Sequence, residues 1–188
     1  MEYNKRLASV SDAMRYYLKA SYYMFNLTIR NKKVINPKFV ERIMLAVTQV
    51  NGCRVCSQAH AKMALKSGLS EKEISKMLSD EENETPEDEA VGVMFGTHYA
   101  DTKGRPDAEV LQRLYKTYGR HNAKAIIATC TIIMLGNTMG IAQDTFNKKF
   151  KREKTGSSLL RELGIFIGFI ISIPFDILAF FLGVLFNY

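Results

Sequence analysis

Cys53, Cys56 and His60 are the residues of this chain best suited, by type and spacing, to do chemistry. Offsets of three and four residues put all three on one stripe of an α-helix, so a helix beginning near Cys53 gives two sulfurs and an imidazole a common face. The start of such a helix adds unpaired N–H groups and the positive end of the dipole, both of which stabilise a thiolate and lower its pKa. A thiol pair so placed can run a two-step redox cycle: one thiolate attacks an oxidant or a disulfide, and the other resolves the product into an internal disulfide. His60 can accept or relay the proton, because an imidazole titrates near neutral pH. Two readings compete with this one. The cysteines could be inert core residues, or they could hold zinc, for which one C-x-x-C and one histidine supply only three ligands on a turn and a half of helix.

The elements that must position these residues read as helices throughout. No stretch of strict alternation lies between hairpin-type turns, so the fold class is expected to be all-α. A first helix is expected over about Asn4 to Thr28, with Tyr16, Tyr17, Tyr23 and Phe25 packing at helical spacing. Asn36-Pro37 supplies a cap and a first-turn proline for a second helix, whose stripe runs through Phe39, Val40, Ile43, Met44, Val47 and Val50 to a stop at Asn51-Gly52. The third helix should run from about Cys53 to Gly68, which can take the left-handed closing conformation. Ser70-Glu71-Lys72-Glu73 is a capping box for a fourth, ending near Ser79. After the acidic stretch Asp80 to Glu89, read as a solvated loop and a first helical turn, Thr85-Pro86 is expected to cap a fifth helix across Val91 to Ala100. Gly104-Arg105-Pro106 breaks the chain before a sixth, which is expected to end at about Tyr118. The segment Asn122 to Phe146 is apolar and rich in small residues (Ala123, Ala125, Ala128, Gly136, Gly140), as suits a helix buried against close neighbours. Cys130 within it reads as a packing residue, and His98 and His121, near helix ends, as surface or capping residues.

Composition narrows the function classes. With 188 residues, 47% apolar and 24% charged, the chain can bury one substantial core and resembles neither a disordered nor a polytopic membrane protein. Its net charge of +7 is spread over helical polar faces and thickens only at Lys148, Lys149, Lys151, Arg152 and Lys154, which argues against a nucleic-acid partner. Three cysteines and an N-terminus that is not a signal peptide point to the cytoplasm, where a close cysteine pair is more often catalytic or metal-binding than structural. Thr155-Gly156-Ser157-Ser158 reads as a linker dividing residues 1–154 from an apolar extension, 155–188. In the extension, residues 163–186 carry Asp176 as their one charge. A straight helix of that length would extend about 36 Å, enough to cross a bilayer core of roughly 30 Å. The basic flank before it fits an anchor on the cytoplasmic face, while Pro174 and Asp176 fit a kink, a re-entrant hairpin or an arm packed in an oligomer.

The motif resembles a known family. Glu41, eleven residues, then Cys53-x-x-Cys56-x-x-x-His60, with Ala64, Gly68, Leu69-Ser70 and Glu73-Ile74 behind it, is similar to the alkylhydroperoxidase D and carboxymuconolactone decarboxylase superfamily. The core match spans about Asn36 to Leu78 and extends loosely to about Phe150. The resemblance implies an AhpD-like helical domain with Cys56 as the peroxide-reacting thiol, Cys53 as the resolving thiol, His60 as the nearby base and Glu41 as the relay carboxylate. It further implies a hydroperoxide substrate, no tightly bound cofactor, a thioredoxin-like or lipoyl-bearing reductant, and a homo-oligomer, trimeric or hexameric. Better-characterised peroxidase members often carry a second histidine between the cysteines, where this chain has Arg54-Val55. The decarboxylase branch lacks the cysteine pair, so its chemistry is not expected. The alternatives are a thiol-disulfide oxidoreductase acting on protein partners and a non-catalytic helical binding module.

Overall fold

The computed structural model describes residues 5–30, 35–79 and 85–186, with the side chains of 24–30, 176 and 179–186 left aside. Among the described residues all regular structure is helical: α1 (Val10–Arg30), α2 (Pro37–Asn51), α3 (Arg54–Lys66), α4 (Glu71–Ser79), α5 (Glu87–Asp101), α6 (Ala108–Phe150) and α7 (Leu159–Phe186). The start expected at Asn4, the acidic residues 80–84 and the side chains of Phe25 and Asp176 lie outside the described residues.

The all-α class holds, and most boundaries follow the capping chemistry. Asn36 accepts the N–H of Lys38 and Pro37 opens α2, as its sequence implies. At Gly52 (φ +65°) the chain takes the left-handed conformation that closes α2 and turns it into α3. Two expectations need correction. The first helix starts at Val10 rather than Asn4, because Ser9 caps it by accepting the N–H of Asp12 at 3.1 Å. Thr85 does not cap α5: Pro86 occupies the cap without a side-chain hydrogen bond, and the first turn is stabilised by Glu87, Asp88 and Glu89 facing the positive end of the dipole. The two helices expected around Gly119 are both present: α6 consists of two helical segments that meet at a kink at that glycine (φ +71°, ψ 170°).

Helix α2 lies between two packed layers. One face (Phe39, Ile43, Val47) meets Phe95 and Tyr99 of α5 and Leu114, Ile126, Cys130 and Ile133 of α6. The other face (Leu45, Ala46) meets Ala64, Leu69, Ile74 and Met77 around α3 and α4. Cys130 is fully buried and its thiol pKa is pushed up by burial, in keeping with a packing role. His98 accepts the backbone N–H of Asp107 at 3.1 Å, tying the end of α5 to the start of α6, and His121 is exposed.

The C-terminal extension begins inside the core. Ile165 and Glu162 of α7 are fully buried, and Thr145, Lys149 and Arg161 all hydrogen-bond the Glu162 carboxylate. Gly164 and Gly168 lie so close to α1 that a Cβ at either would come within 2.9 Å of Val10 or 2.7 Å of Met14. Small residues four apart thus let α1 and α7 pack closely. Farther along, Ile167, Ile170, Ile171, Phe175, Ile177 and Leu178 are exposed.

The α4 capping box forms as expected. The Glu73 carboxylate accepts both the N–H and the hydroxyl of Ser70, at 2.8 and 2.7 Å, and Arg42 at 2.9 Å. The Ser70 backbone and side-chain hydrogen bonds, followed by that from Arg42, hold its pKa at about 2, below its ordinary 4.5. A carboxylate whose folded pKa is depressed gives stability that is fully present above its unfolded pKa and is lost as pH falls through the folded one. Thermal melts should therefore show wild type above Glu73→Gln near pH 6, with the gap closing between about pH 4.5 and 2. A gap constant over that range would refute the assignment.

Candidate redox site

Gly52 aims the chain so that Cys53 becomes the N-cap of α3, and its sulfur accepts the N–H of Cys56 at 3.3 Å. Cys53 and Cys56 form a disulfide, with Cα atoms 5.3 Å apart. Cys53 is 1% exposed and Cys56 9%, so an incoming reagent meets Cys56 first. One turn further along α3, His60 Nδ1 lies 2.9 Å from the Glu41 carboxylate of α2. Glu41 is buried; it is not the solvated helix residue that its type alone suggests. The structure thus joins Glu41 to His60 between α2 and α3, and Cys53 to Cys56 at the start of α3 one turn away.

Helix α6 closes over the sulfurs. Cys56 Sγ lies 3.5 Å from the carbonyl oxygen of Gly136. A Cβ built on Gly140 would stand 2.8 Å from Cys53 Sγ and 2.9 Å from Cys56 Sγ, closer than carbon and sulfur can sit. Ile141 and Leu7 complete the apolar surround. Leu7 belongs to an extended strap before α1, which is held at several points. The Arg6 N–H donates to the Asn51 carbonyl at 2.9 Å, the Arg6 side chain pairs with Asp101 at 2.7 Å, and Arg161 Nε donates to the Ala8 carbonyl at 2.7 Å.

A charged group borders the site. Arg54, which stands between the cysteines, pairs with Asp144 at 3.2 Å, and Asp144 also meets Lys148 at 3.0 Å and Lys5 at 3.5 Å. Burial alone would raise the Asp144 pKa, but the three cations outweigh it and hold the carboxyl below its ordinary value. Arg54 is thereby engaged on the surface beside the disulfide. Among the described residues no three His, Cys, Asp or Glu side chains are grouped to hold a metal ion.

The model of the carboxymuconolactone decarboxylase family matches residues 12–82, a span that contains Glu41, both cysteines and His60. The resemblance drawn from the cysteine motif stands over that span. No curated protein and no solved structure matches the chain. Leu7, Gly136, Gly140 and Ile141 were not legible as site residues. The one signal for the glycines is their spacing of four, which reads equally well as ordinary close packing.

Proposed function

We propose that this protein is a thiol-dependent hydroperoxide reductase that cycles Cys53 and Cys56 between dithiol and disulfide. The observation that carries the reading is the 2.9 Å contact between His60 and the buried Glu41, one helical turn from the more exposed sulfur. In the reduced protein the Cys56 thiolate attacks the terminal peroxide oxygen. The O–O bond breaks, the alcohol leaves with a proton relayed through His60, and Cys56 becomes a sulfenic acid. The Cys53 thiolate then displaces hydroxide, which leaves as water once protonated, and the disulfide forms. An external dithiol, thioredoxin-like or lipoyl-bearing, returns two electrons and two protons. The N–H of Cys56 on Cys53 Sγ suits this division of labour, since it stabilises Cys53 as the resolving thiolate and as the leaving group when the disulfide is reduced at Cys56.

Glu41→Gln keeps the side-chain volume but removes the charge that orients and supports the imidazole. Hydroperoxide turnover, followed by peroxide consumption with excess dithiol, should fall about 10- to 100-fold, within the range of general acid–base effects. Wild-type turnover in Glu41→Gln would remove the carboxylate from the reaction.

The same N-cap hydrogen bond favours a second reading, a thiol-disulfide oxidoreductase acting on protein partners. The two separate cleanly, because the second exchanges disulfides without consuming peroxide. In either case we assign the exposed apolar side of α7, with the basic residues before it, to membrane association of a homo-oligomer. The full chain should float with vesicles containing anionic lipid, and Ile170→Asp with Ile171→Asp should release it. Retention of the double variant on vesicles, or failure of wild type to float, would remove the membrane from this reading.

A further inference from the structure

The strap before α1 and the start of α7 are joined over the disulfide. Leu7 and Ile141 both pack on Cys53 and Cys56, but their supports differ. Ile141 belongs to α6, whose backbone already lies so near that a Cβ on Gly140 would meet both sulfurs within 2.9 Å. Leu7 belongs to no helix, since α1 begins at Val10. Its neighbours are tied by separate contacts: the Arg6 N–H to Asn51, the Arg6 side chain to Asp101, Lys5 to Asp144, and the Ala8 carbonyl to Arg161 Nε at 2.7 Å. Arg161 is in turn placed by the Glu162 carboxylate, which Thr145 and Lys149 bind from α6.

Reduction changes the space needed beneath this cover. An external dithiol supplies two electrons and two protons: one of its thiolates attacks a sulfur, the Cys53–Cys56 bond breaks, and its second thiol closes the external disulfide. Sulfurs that were bonded at about 2.0 Å must then move apart to ordinary contact distance. The Cys53 carbonyl accepts both the N–H and the hydroxyl of Ser57, at 2.9 and 3.0 Å, which fixes the backbone there. As a thiol, Cys56 keeps the Gly136 carbonyl, 3.5 Å away, as its acceptor. With α6 in close contact on one side, the separation is taken up on the side of Leu7.

We propose that residues 5–8 form a redox-sensitive lid, closed on the Cys53–Cys56 disulfide and lifted by its reduction, and that the Ala8–Arg161 hydrogen bond carries the change to α7. The dithiol, which has to meet an oxidant, is then the open form, and the disulfide is the covered one. The C-terminal extension senses the state of a centre to which it supplies no reacting group. The proposal rests on the cycling of the cysteine pair stated above, whatever the oxidant.

Amide hydrogen exchange read by mass spectrometry, on the oxidised full chain and again in excess dithiothreitol, tests the lid. Reduction should speed exchange of residues 5–9 by about tenfold, the effect of losing roughly one hydrogen bond, and that of residues 159–165 by less, with α2 and α5 changed by no more than about twofold. Leu7→Ala provides the room in advance, so exchange at its strap should be the same in both states. Arg161→Gln should keep the response at the strap and lose it at α7. A wild-type strap indifferent to reduction, a change centred on residues 136–144 of α6 instead, or an undiminished response in Leu7→Ala would overturn the lid. A strap response in wild type with none at residues 159–165 would overturn the link to α7. Peroxide consumption decides the peroxidase reading separately: a lid that lifts in a protein without peroxide turnover would leave this proposal standing and bring down that reading alone.

Discussion

Replacing Cys56 with serine is expected to abolish catalytic hydroperoxide consumption, by at least about a thousandfold, since a hydroxyl at neutral pH is a far weaker nucleophile than a thiolate. Cys53→Ser should behave differently. It keeps the attacking sulfur, so one equivalent of peroxide should be consumed per chain, leaving a sulfenic acid at Cys56 that a dimedone-type reagent traps. The asymmetry follows from where the two sulfurs sit: Cys56 is the one a reagent can reach, at 9% exposure against 1%, and Cys53 is held behind it as the cap of α3. Stopped-flow peroxide consumption with mass spectrometry of the trapped product reads both results. A burst retained in Cys56→Ser and lost in Cys53→Ser would reverse the roles, and no burst in wild type with freely titrating thiols would leave disulfide exchange as the reading to pursue.

Gly140→Val should be the most damaging substitution outside the four motif residues. The Cβ alone would stand 2.8 and 2.9 Å from the two sulfurs, and neither sulfur can withdraw while bonded to the other on a helix start. Either α6 shifts outward or the disulfide opens. Overpacking of this kind costs about 1–3 kcal/mol, which for a chain of this size lowers Tm by roughly 2–12 °C, and free thiols should remain after treatment with a mild oxidant. The neighbouring Gly136→Ala is the internal control. A Cβ there meets no atom nearer than 3.8 Å, so the substitution should be neutral or stabilise by roughly 0.5–1 kcal/mol through helix propensity. Thermal melts and thiol titration of the pair would settle the matter: equal behaviour of the two variants would mean that α6 does not press on the sulfurs.

Much of the scaffold was legible because its signals are local. Asn36-Pro37, Asn51-Gly52 and the Ser70/Glu73 box each act within one helical turn, and each lies where its chemistry requires. Thr85-Pro86 misled because threonine and proline both favour a helix start, and sequence does not show which of the two takes the cap. At Gly119 the two helices read from the sequence meet at a kink, because glycine takes the positive φ that ends the first of them. The chemical residues were likewise local, since Cys53, Cys56 and His60 belong to one helix. Glu41 became visible only through its spacing in a family motif, because nothing in its neighbours' types announces that it is buried beside a histidine. The cover of the site was beyond reach: Leu7 and Gly140 come from distant parts of the chain, and their meeting at the sulfurs is a product of tertiary packing. The buried start of α7 was hidden for the same reason, since a run of isoleucine and phenylalanine reads alike whether it faces lipid, a partner or α1.

The 80-residue separation between Cys56 and the Gly136 carbonyl also has a meaning for the protein's birth. Ribosomes add about 5–20 residues each second, so on the order of ten seconds pass between emergence of the thiols and emergence of the helix that roofs them. Through that interval the two sulfurs of the nascent chain lack the cover that α6 gives them, open to alkylation, to mixed disulfides and to over-oxidation. The finished fold covers its sulfurs, and synthesis has a short window in which it does not.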